Sequence, residues 1–192
     1  LEYDEGVTPI SEADIISCCD PNFSMQDKPD NQAAGYHSII GIDYGPVNSE
    51  RSHTVICVVQ YRSGDGYRVV YMKRFQGKEA DFAHIHKEVP KLFTTWRATS
   101  IAADYGMGEA ANSEIRSRLG FDKVIAFQHL QTQKEKVKWN PKMPAYTLSR
   151  GQVLDDLFAM IKKGEIKFPK WDDMRHFADD FLNVQIEYDE DR

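Results

Sequence analysis

The chain has 192 residues, which is enough for one domain with a substantial core but too few for two large ones. Its hydrophobic content of 41% and charged content of 28% are typical of a globular protein. No apolar run reaches the length of a membrane span, and no signal peptide opens the chain, so the sequence argues against a membrane protein.

The three cysteines are Cys18, Cys19 and Cys57. None belongs to a CxxC pair, so the sequence argues against a structural zinc site and favours a reducing compartment. We therefore expect an intracellular protein.

The net charge of −6 is unevenly distributed. Residues 1–34 carry −7 and residues 171–192 carry −6, whereas residues 35–170 carry +7. A basic centre makes a nucleic-acid partner possible despite the acidic total. A solvated surface with acidic ends explains the same charges equally well.

Residues 1–34 are predicted to be a linker or arm. A short helix follows Ser11, which is a good N-cap with Asp14 as its capping partner, and Pro21 stops it. Residues 24–34 are polar and aperiodic, which predicts a loop. The second predicted unit is a domain over 35–192. The abrupt acidic start and an unpartnered last strand lead us to expect a piece of a longer protein, truncated at its C-terminus.

From Ser38 the apolar pattern becomes regular and predicts an α/β domain. The predicted strands are 38–44, 53–61, 67–75, 99–104, 123–127, a short edge strand at 165–169 and a last strand at 184–188. The predicted helices are about 79–95, 109–119, 147–163 and 171–182, and residues 128–144 are predicted to be a long basic loop. Hairpins make the first three strands antiparallel, and helical crossovers make strands one, four and five parallel. This mixed sheet flanked by helices has the strand order of the ribonuclease H-like fold.

Two aspartates end predicted strands of this sheet. Asp43 and Asp104 each follow an apolar strand and precede Tyr-Gly. If their strands are parallel neighbours, both carboxylates emerge at the same edge, where open α/β sheets place their sites. Paired carboxylates favour a neutralising cation, and oxygen ligands favour Mg²⁺ or Mn²⁺. Two such ions catalyse phosphodiester hydrolysis in many nucleases. Either aspartate alone would instead be interpreted as an ordinary turn residue at the end of a strand.

The loop 128–144 contains four lysines, Lys134, Lys136, Lys138 and Lys142, and also Trp139. Lysines in this density suit non-specific contacts with DNA phosphates, and a solvated excursion is an equally good interpretation.

A third metal-binding acid is not evident from the sequence. Asp155, Asp156, Asp179 and Asp180 lie on predicted helices, where paired acids usually face solvent. We expect the missing carboxylate beyond Arg192. His53 and His129 belong to no ligand-spaced cluster, so both are predicted to be structural.

From about residue 38 the chain resembles the C-terminal nuclease domain of tailed-phage large terminase subunits, the DNA-packaging motors. The arm, with Thr8-Pro9-Ile10-Ser11, resembles the segment that links the ATPase of that family to its nuclease. The matching nuclease motifs, in chain order, are Gly41-Ile42-Asp43-Tyr44-Gly45, Ala103-Asp104-Tyr105-Gly106-Met107-Gly108, Leu148-Ser149-Arg150 and Lys163-Gly164-Glu165-Ile166-Lys167-Phe168-Pro169.

The resemblance implies a metal-dependent endonuclease that cuts concatemeric viral DNA when packaging starts and ends. Asp43 and Asp104 match the first two metal-binding acids of the family, which use Mg²⁺ or Mn²⁺. The third acid of the family follows a closing β-hairpin, in an Asp-rich helix start that this chain lacks. The implied partners are double-stranded DNA and, through the full-length protein, the terminase small subunit and the portal protein; the implied location is the host cell cytoplasm.

Other classes fit parts of the same sequence. Residues 41–49 also resemble the first phosphate loop of actin-like ATPases, which need two such domains. A junction resolvase or transposase core would share both acids, and a DNA-gripping module with an idle cleavage site would share the lysines. No GxxxxGK[ST] motif occurs, so this chain is not the packaging motor itself.

Overall fold

The computed structural model describes residues 9–46 and 53–184. Within these residues one sheet contains the strands β1 (His37–Asp43), β2 (Thr54–Arg62), β3 (Gly66–Phe75), β4 (Ser100–Asp104), β5 (Val124–Leu130), β6 (Val137–Asn140), β7 (Ala145–Ser149) and β8 (Ile166–Lys167). The α-helices are α1 (Glu12–Ser17), α2 (Phe82–Thr95), α3 (Glu109–Leu119), α4 (Arg150–Lys162) and α5 (Trp171–Leu182). None of the described helices is long and apolar enough to cross a bilayer.

The strands are ordered β6-β7-β5-β4-β1-β2-β3-β8, so β6 and β8 form the two edges. β1, β2 and β3 pair antiparallel, whereas β1, β4 and β5 pair parallel. β7 adds to β5 in parallel and pairs antiparallel with β6. This topology confirms the predicted ribonuclease H-like mixed sheet.

One face of the sheet is covered by α2 and α3. β1 alternates along its length, and Ile40 and Ile42 point into this layer. They pack in one cluster with Ile85 of α2 and Ile115 of α3, both fully buried. Burying this apolar surface fixes the register of β1, because a slip by one residue would turn these side chains to the other face.

The opposite face is covered mainly at one end. A second cluster joins α1, α4 and α5 to apolar residues of β2, β3 and β8. Nearer the middle of the sheet, Ile39 on this face is 38% exposed. At the C-terminal ends of β1 and β5, Asp43 and His129 on the same face are also exposed, so this end of the sheet is open to solvent.

Residues 9–34 pack against the sheet. The predicted capping box is confirmed, since the Ser11 hydroxyl accepts a hydrogen bond from the Asp14 amide and the Asp14 carboxylate accepts one from the Ser11 amide. Ile15 of α1 is fully buried in the second cluster. The Gln26 amide donates to the Val70 carbonyl of β3 at 2.9 Å. The predicted domain boundary after residue 34 concerns independent folding and stays a prediction.

The prediction of one loop over 128–144 was wrong. β5 continues to Leu130, and the hairpin β6–β7 follows. β6 was missed because its alternation of apolar and polar residues lasts only four residues, within a stretch rich in lysine. The predicted helix start at 147 was also wrong, because Ser149 still pairs with Leu130 in the sheet and α4 begins at Arg150.

The other predicted elements agree with the structure to within a few residues. α3 and α5 have the predicted bounds, and β8 is the predicted edge strand, shortened to two residues. The helix predicted over 79–95 is divided into a single 3-10 turn, Gly77–Ala80, and α2. The strand predicted over 184–188 lies, apart from Val184, outside the described residues.

Candidate functional site

Asp43 and Asp104 end neighbouring parallel strands at the same level. Ile42 of β1 is in register with Ala103 of β4, so the next residues, the two aspartates, follow side by side. Both side chains lie on the face opposite α2 and α3, because Ile42 and Ala103 are buried under those helices. The predicted convergence of the two carboxylates at the C-terminal edge is therefore what the strand pairing produces.

The two carboxylates influence each other electrostatically. Asp43 is open to solvent, but the surrounding sheet edge removes part of its hydration, and this partial burial raises its pKa above the ordinary value. The negative charge of Asp104 raises the pKa of Asp43 further. Two like charges held this close favour a bound cation or a proton.

A histidine of β5 also acts on this pair. Phe127 is in register with Asp104, and His129 follows two residues later on the same face. The charge of His129 lowers the pKa of Asp43. Sequence reasoning assigned His129 a structural role because it belongs to no ligand-spaced motif; the pairing of β4 with β5 is what brings it to the site.

A buried polar chain holds the backbone of Asp104. The Tyr44 hydroxyl donates to the Asn112 side-chain oxygen at 2.9 Å, and the Asn112 amide group donates to the Asp104 carbonyl at 2.9 Å. Asn112 is fully buried and Tyr44 nearly so. Because these hydrogen bonds join the residues after β1 to α3 and to the end of β4, they fix the two strand ends relative to each other.

Glycine is required where this chain is most tightly packed. A Cβ at Gly108 would lie 2.0 Å from Cδ2 of the Tyr44 ring. Beside Asp43, a Cβ at Gly45 would lie 2.5 Å from the carbonyl carbon of His53. The glycines of the two Asp-Tyr-Gly motifs and of the turn after them thus allow close packing around the carboxylates.

Asp180 of α5 lies near the pair as well. Its negative charge raises the pKa of Asp43, and its carboxylate forms an ion pair with Arg74 of β3 at 2.6 Å. The Arg74 guanidinium also lies 5.0 Å from the centre of the Phe177 ring. Among the described residues no group of three or more His, Cys, Asp or Glu side chains is arranged to hold a metal ion. The third acid therefore stays a prediction.

The four predicted DNA-binding lysines lie in and around the β6–β7 hairpin. All four are exposed. Lys136 forms an ion pair with Asp156 of α4, and Lys138 forms one with Glu135 at 3.0 Å. The region predicted to be a loop is thus an edge hairpin that presents lysines to solvent.

The fold can be compared with solved structures, although no protein-family model and no curated protein matches the sequence. The large terminase nuclease of the thermophilic phage G20c aligns with a TM-score of 0.55 and 15% identity, over 88% of this chain and 80% of that one. The fold is that of a terminase nuclease domain. The human cytomegalovirus terminase nuclease domain, in a Mn-soaked and inhibitor-bound form, aligns with a TM-score of 0.50 and 12% identity, over 84% of this chain and 74% of that one.

The bacteriophage HK97 large terminase aligns with a TM-score of 0.56 and 11% identity, over 85% of this chain. The alignment covers 34% of the HK97 chain, so the present residues correspond to one part of that larger protein. Identities this low establish the terminase nuclease-like fold, and the roles of individual residues have to be argued from their chemistry.

Sequence reasoning missed the residues that support the site. Asn112 lies in the polar first half of α3, where nothing in the local pattern distinguishes a buried amide from an exposed one. Its partners, Tyr44 and the Asp104 carbonyl, are 68 and 8 residues away. The only available signal was the Gly-Met-Gly turn before α3, which predicts close packing but not its partner.

Proposed function

We propose that this chain is a divalent-metal-dependent endodeoxyribonuclease that cleaves double-stranded concatemeric viral DNA during genome packaging. The observation that carries the proposal is the pair Asp43 and Asp104, side by side on neighbouring parallel strands of a sheet with the terminase nuclease fold. C-terminal strand ends are where open α/β sheets place their sites.

The donor chemistry of the pair fits a hard divalent cation. Both groups are carboxylates, and the raised pKa of Asp43 reflects an unfavourable negative charge that a cation would relieve. Asp43 and Asp104 would hold Mg²⁺ or Mn²⁺, in a two-ion site if a further ligand joins them. When bound, such ions supply neutralisation of phosphate charge and activation of water for phosphodiester hydrolysis.

The residues around the pair would hold the two strand ends in place. The hydrogen bonds from Tyr44 through Asn112 to the Asp104 carbonyl fix the backbone at the ends of β1 and β4, so the two strand ends would keep their spacing when a cation binds. The imidazole of His129 lies on the same face, where a DNA phosphate has to approach.

DNA would be held next to the site by Lys134, Lys136, Lys138 and Lys142, since exposed lysines bind phosphates without reading sequence. We propose double-stranded DNA as the direct partner. The terminase small subunit and the portal protein would be partners of the full-length protein, acting in the host cell cytoplasm.

Nicking of supercoiled plasmid tests the proposal. The wild-type chain should nick with Mg²⁺ or Mn²⁺ and not with EDTA, and Asp43→Asn and Asp104→Asn should each abolish nicking. Asp122→Asn is the matched control, because Asp122 is an exposed acid that pairs with Lys123 at the opposite end of β5. Nicking that survives EDTA, or that survives both substitutions, would refute the metal-dependent mechanism.

The substrate class needs a separate comparison. A packaging nuclease should cut linear duplex DNA at least as well as a four-way junction of the same length and composition. Strong preference for the junction would instead identify a resolvase-type enzyme that shares the same two acids.

A further inference from the structure

A single row of side chains crosses the sheet from the carboxylates to the β6 edge. Asp43 is level with Asp104, Asp104 with Phe127, Phe127 with Tyr146, and Tyr146 with Trp139. Residues in register on neighbouring strands project from the same face. Three aromatic side chains, hereafter the aromatic row, therefore continue the line that the two aspartates begin.

The rings of the aromatic row contact one another, and Trp139 at the end of the row is open to solvent while Phe127 and Tyr146 are half-buried. The rings of Phe127 and Tyr146 are 5.8 Å apart and inclined by 29°, and those of Tyr146 and Trp139 are 5.0 Å apart and inclined by 63°. Trp139 is 49% exposed, and Val137, next to it on the same face of β6, is 50% exposed. An exposed aromatic surface beside a carboxylate pair is typical of a binding surface.

The charge around the aromatic row indicates what binds it. Residues 134–142 contain four lysines and one acid, Glu135. A purely apolar protein partner would gain nothing from this excess of positive charge, which instead favours a negatively charged partner. Lys138 alternates with Trp139 and projects from the opposite face of β6, whereas Lys134 and Lys142 lie beyond the two ends of this strand. Aromatic rings with lysines beside them are the combination with which proteins bind single-stranded nucleic acid: the bases stack on the rings and the lysines attract the phosphates.

We propose that the aromatic row binds unpaired bases of a DNA strand beside the phosphodiester that Asp43 and Asp104 act on. Bases within a duplex are covered on both faces by their neighbours, so only a strand that has left the helix can stack on these rings. Trp139 lies three strand spacings from Asp104, about 14 Å, which keeps the bound bases close to the site. The preferred substrate would then be a duplex with unpaired nucleotides next to the cut. The position of the cut rests on the proposed nuclease function; the binding of unpaired bases does not.

Binding in EDTA tests the aromatic row without cleavage. Fluorescence anisotropy would compare a labelled single-stranded oligonucleotide with a blunt duplex of the same sequence. Trp139→Ala should weaken single-strand binding about tenfold and leave duplex binding nearly unchanged, because one base stack is lost. The matched control is Phe121→Ala, which removes an aromatic ring that is 82% exposed at the other end of β5.

Two further variants separate stacking from support of the hairpin. Trp139→Phe keeps a ring and should retain binding, whereas Trp139→Leu keeps an apolar side chain without a ring and should lose it as Trp139→Ala does. The proposal is overturned if Leu and Phe behave alike, if single-strand and duplex binding fall together, or if Phe121→Ala has the same effect. It is also overturned if Trp139→Ala changes the oligomeric state in light scattering while oligonucleotide binding is unchanged.

The two proposals can fail separately. If the chain nicks plasmid but Trp139→Ala binds single-stranded DNA as the wild type does, the aromatic-row proposal is wrong and the nuclease proposal stands. If single-strand binding depends on Trp139 but the chain nicks plasmid with no metal, the nuclease proposal is wrong and the aromatic-row proposal stands.

Discussion

Gly108→Ala should destabilise the protein strongly for its size, and the reason is purely steric. The backbone of Gly108 has a φ of −84°, which alanine adopts without strain. The added methyl would lie 2.0, 2.2 and 2.9 Å from three carbons of the Tyr44 ring. That ring is 5% exposed and its hydroxyl is bonded to Asn112, so it cannot swing away freely.

The expected cost has two parts. Overpacking of this kind costs about 1–3 kcal/mol of unfolding free energy. Displacement of the ring would also break the hydrogen bond from Tyr44 to Asn112, at about 1 kcal/mol. Tyr44→Phe isolates that second part, because it removes the hydroxyl and leaves Gly108 in place.

Urea unfolding at equilibrium measures both parts. The control is Gly151→Ala, since the methyl there meets nothing within 4 Å on the exposed start of α4. The free energy of unfolding of Gly151→Ala should exceed that of the wild type by about 0.4–1 kcal/mol. If Gly108→Ala unfolds at the same urea concentration as the wild type, or if both alanines have the same effect, the packing argument around Asp104 is wrong.

Two further predictions concern Asp43 and α1. Because partial burial and Asp104 raise the pKa of Asp43, the folded state holds its proton more tightly than the unfolded state, and stability falls as pH rises above the ordinary pKa of 3.8. In EDTA, Asp43→Asn should therefore melt higher than the wild type at neutral pH, and this difference should disappear below pH 3.8; a difference independent of pH would contradict the assignment. Ser11→Ala should lower the free energy of unfolding by about 0.5–2 kcal/mol in one urea transition, because the capping box starts a helix that is buried in the core. An unchanged transition would mean that α1 unfolds separately.

The sequence carried enough information to predict that Asp43 and Asp104 end neighbouring strands, because that signal is local. Apolar runs of strand length end at Asp43 and Asp104, and helices begin and end at capping residues and glycine, as α3 does before Gly120. Once β1 and β4 are parallel neighbours, the meeting of the two carboxylates follows from geometry alone.

What the sequence could not reveal depends on contacts between distant residues. β6 is only four residues long and is stabilised by pairing with β7 at an edge, so its short alternation was too weak a signal to identify a strand. The hydrogen bond from Tyr44 to Asn112 joins residues 68 positions apart. The aromatic row likewise exists only because β5, β7 and β6 are in register. Propensity and periodicity report on neighbours along the chain and cannot specify such pairings.

The position of β6 at the edge of the sheet has a consequence for solubility. An edge strand offers unpaired backbone groups to any other extended chain, and exposed Val137 and Trp139 would make such an addition more favourable. Lys136 and Lys138 alternate with them and repel a second copy of the same strand. The lysines that make this hairpin cationic thus also guard it against aggregation. Replacing both lysines with neutral residues would therefore leave an edge strand prone to aggregation and would also weaken any binding of DNA phosphates.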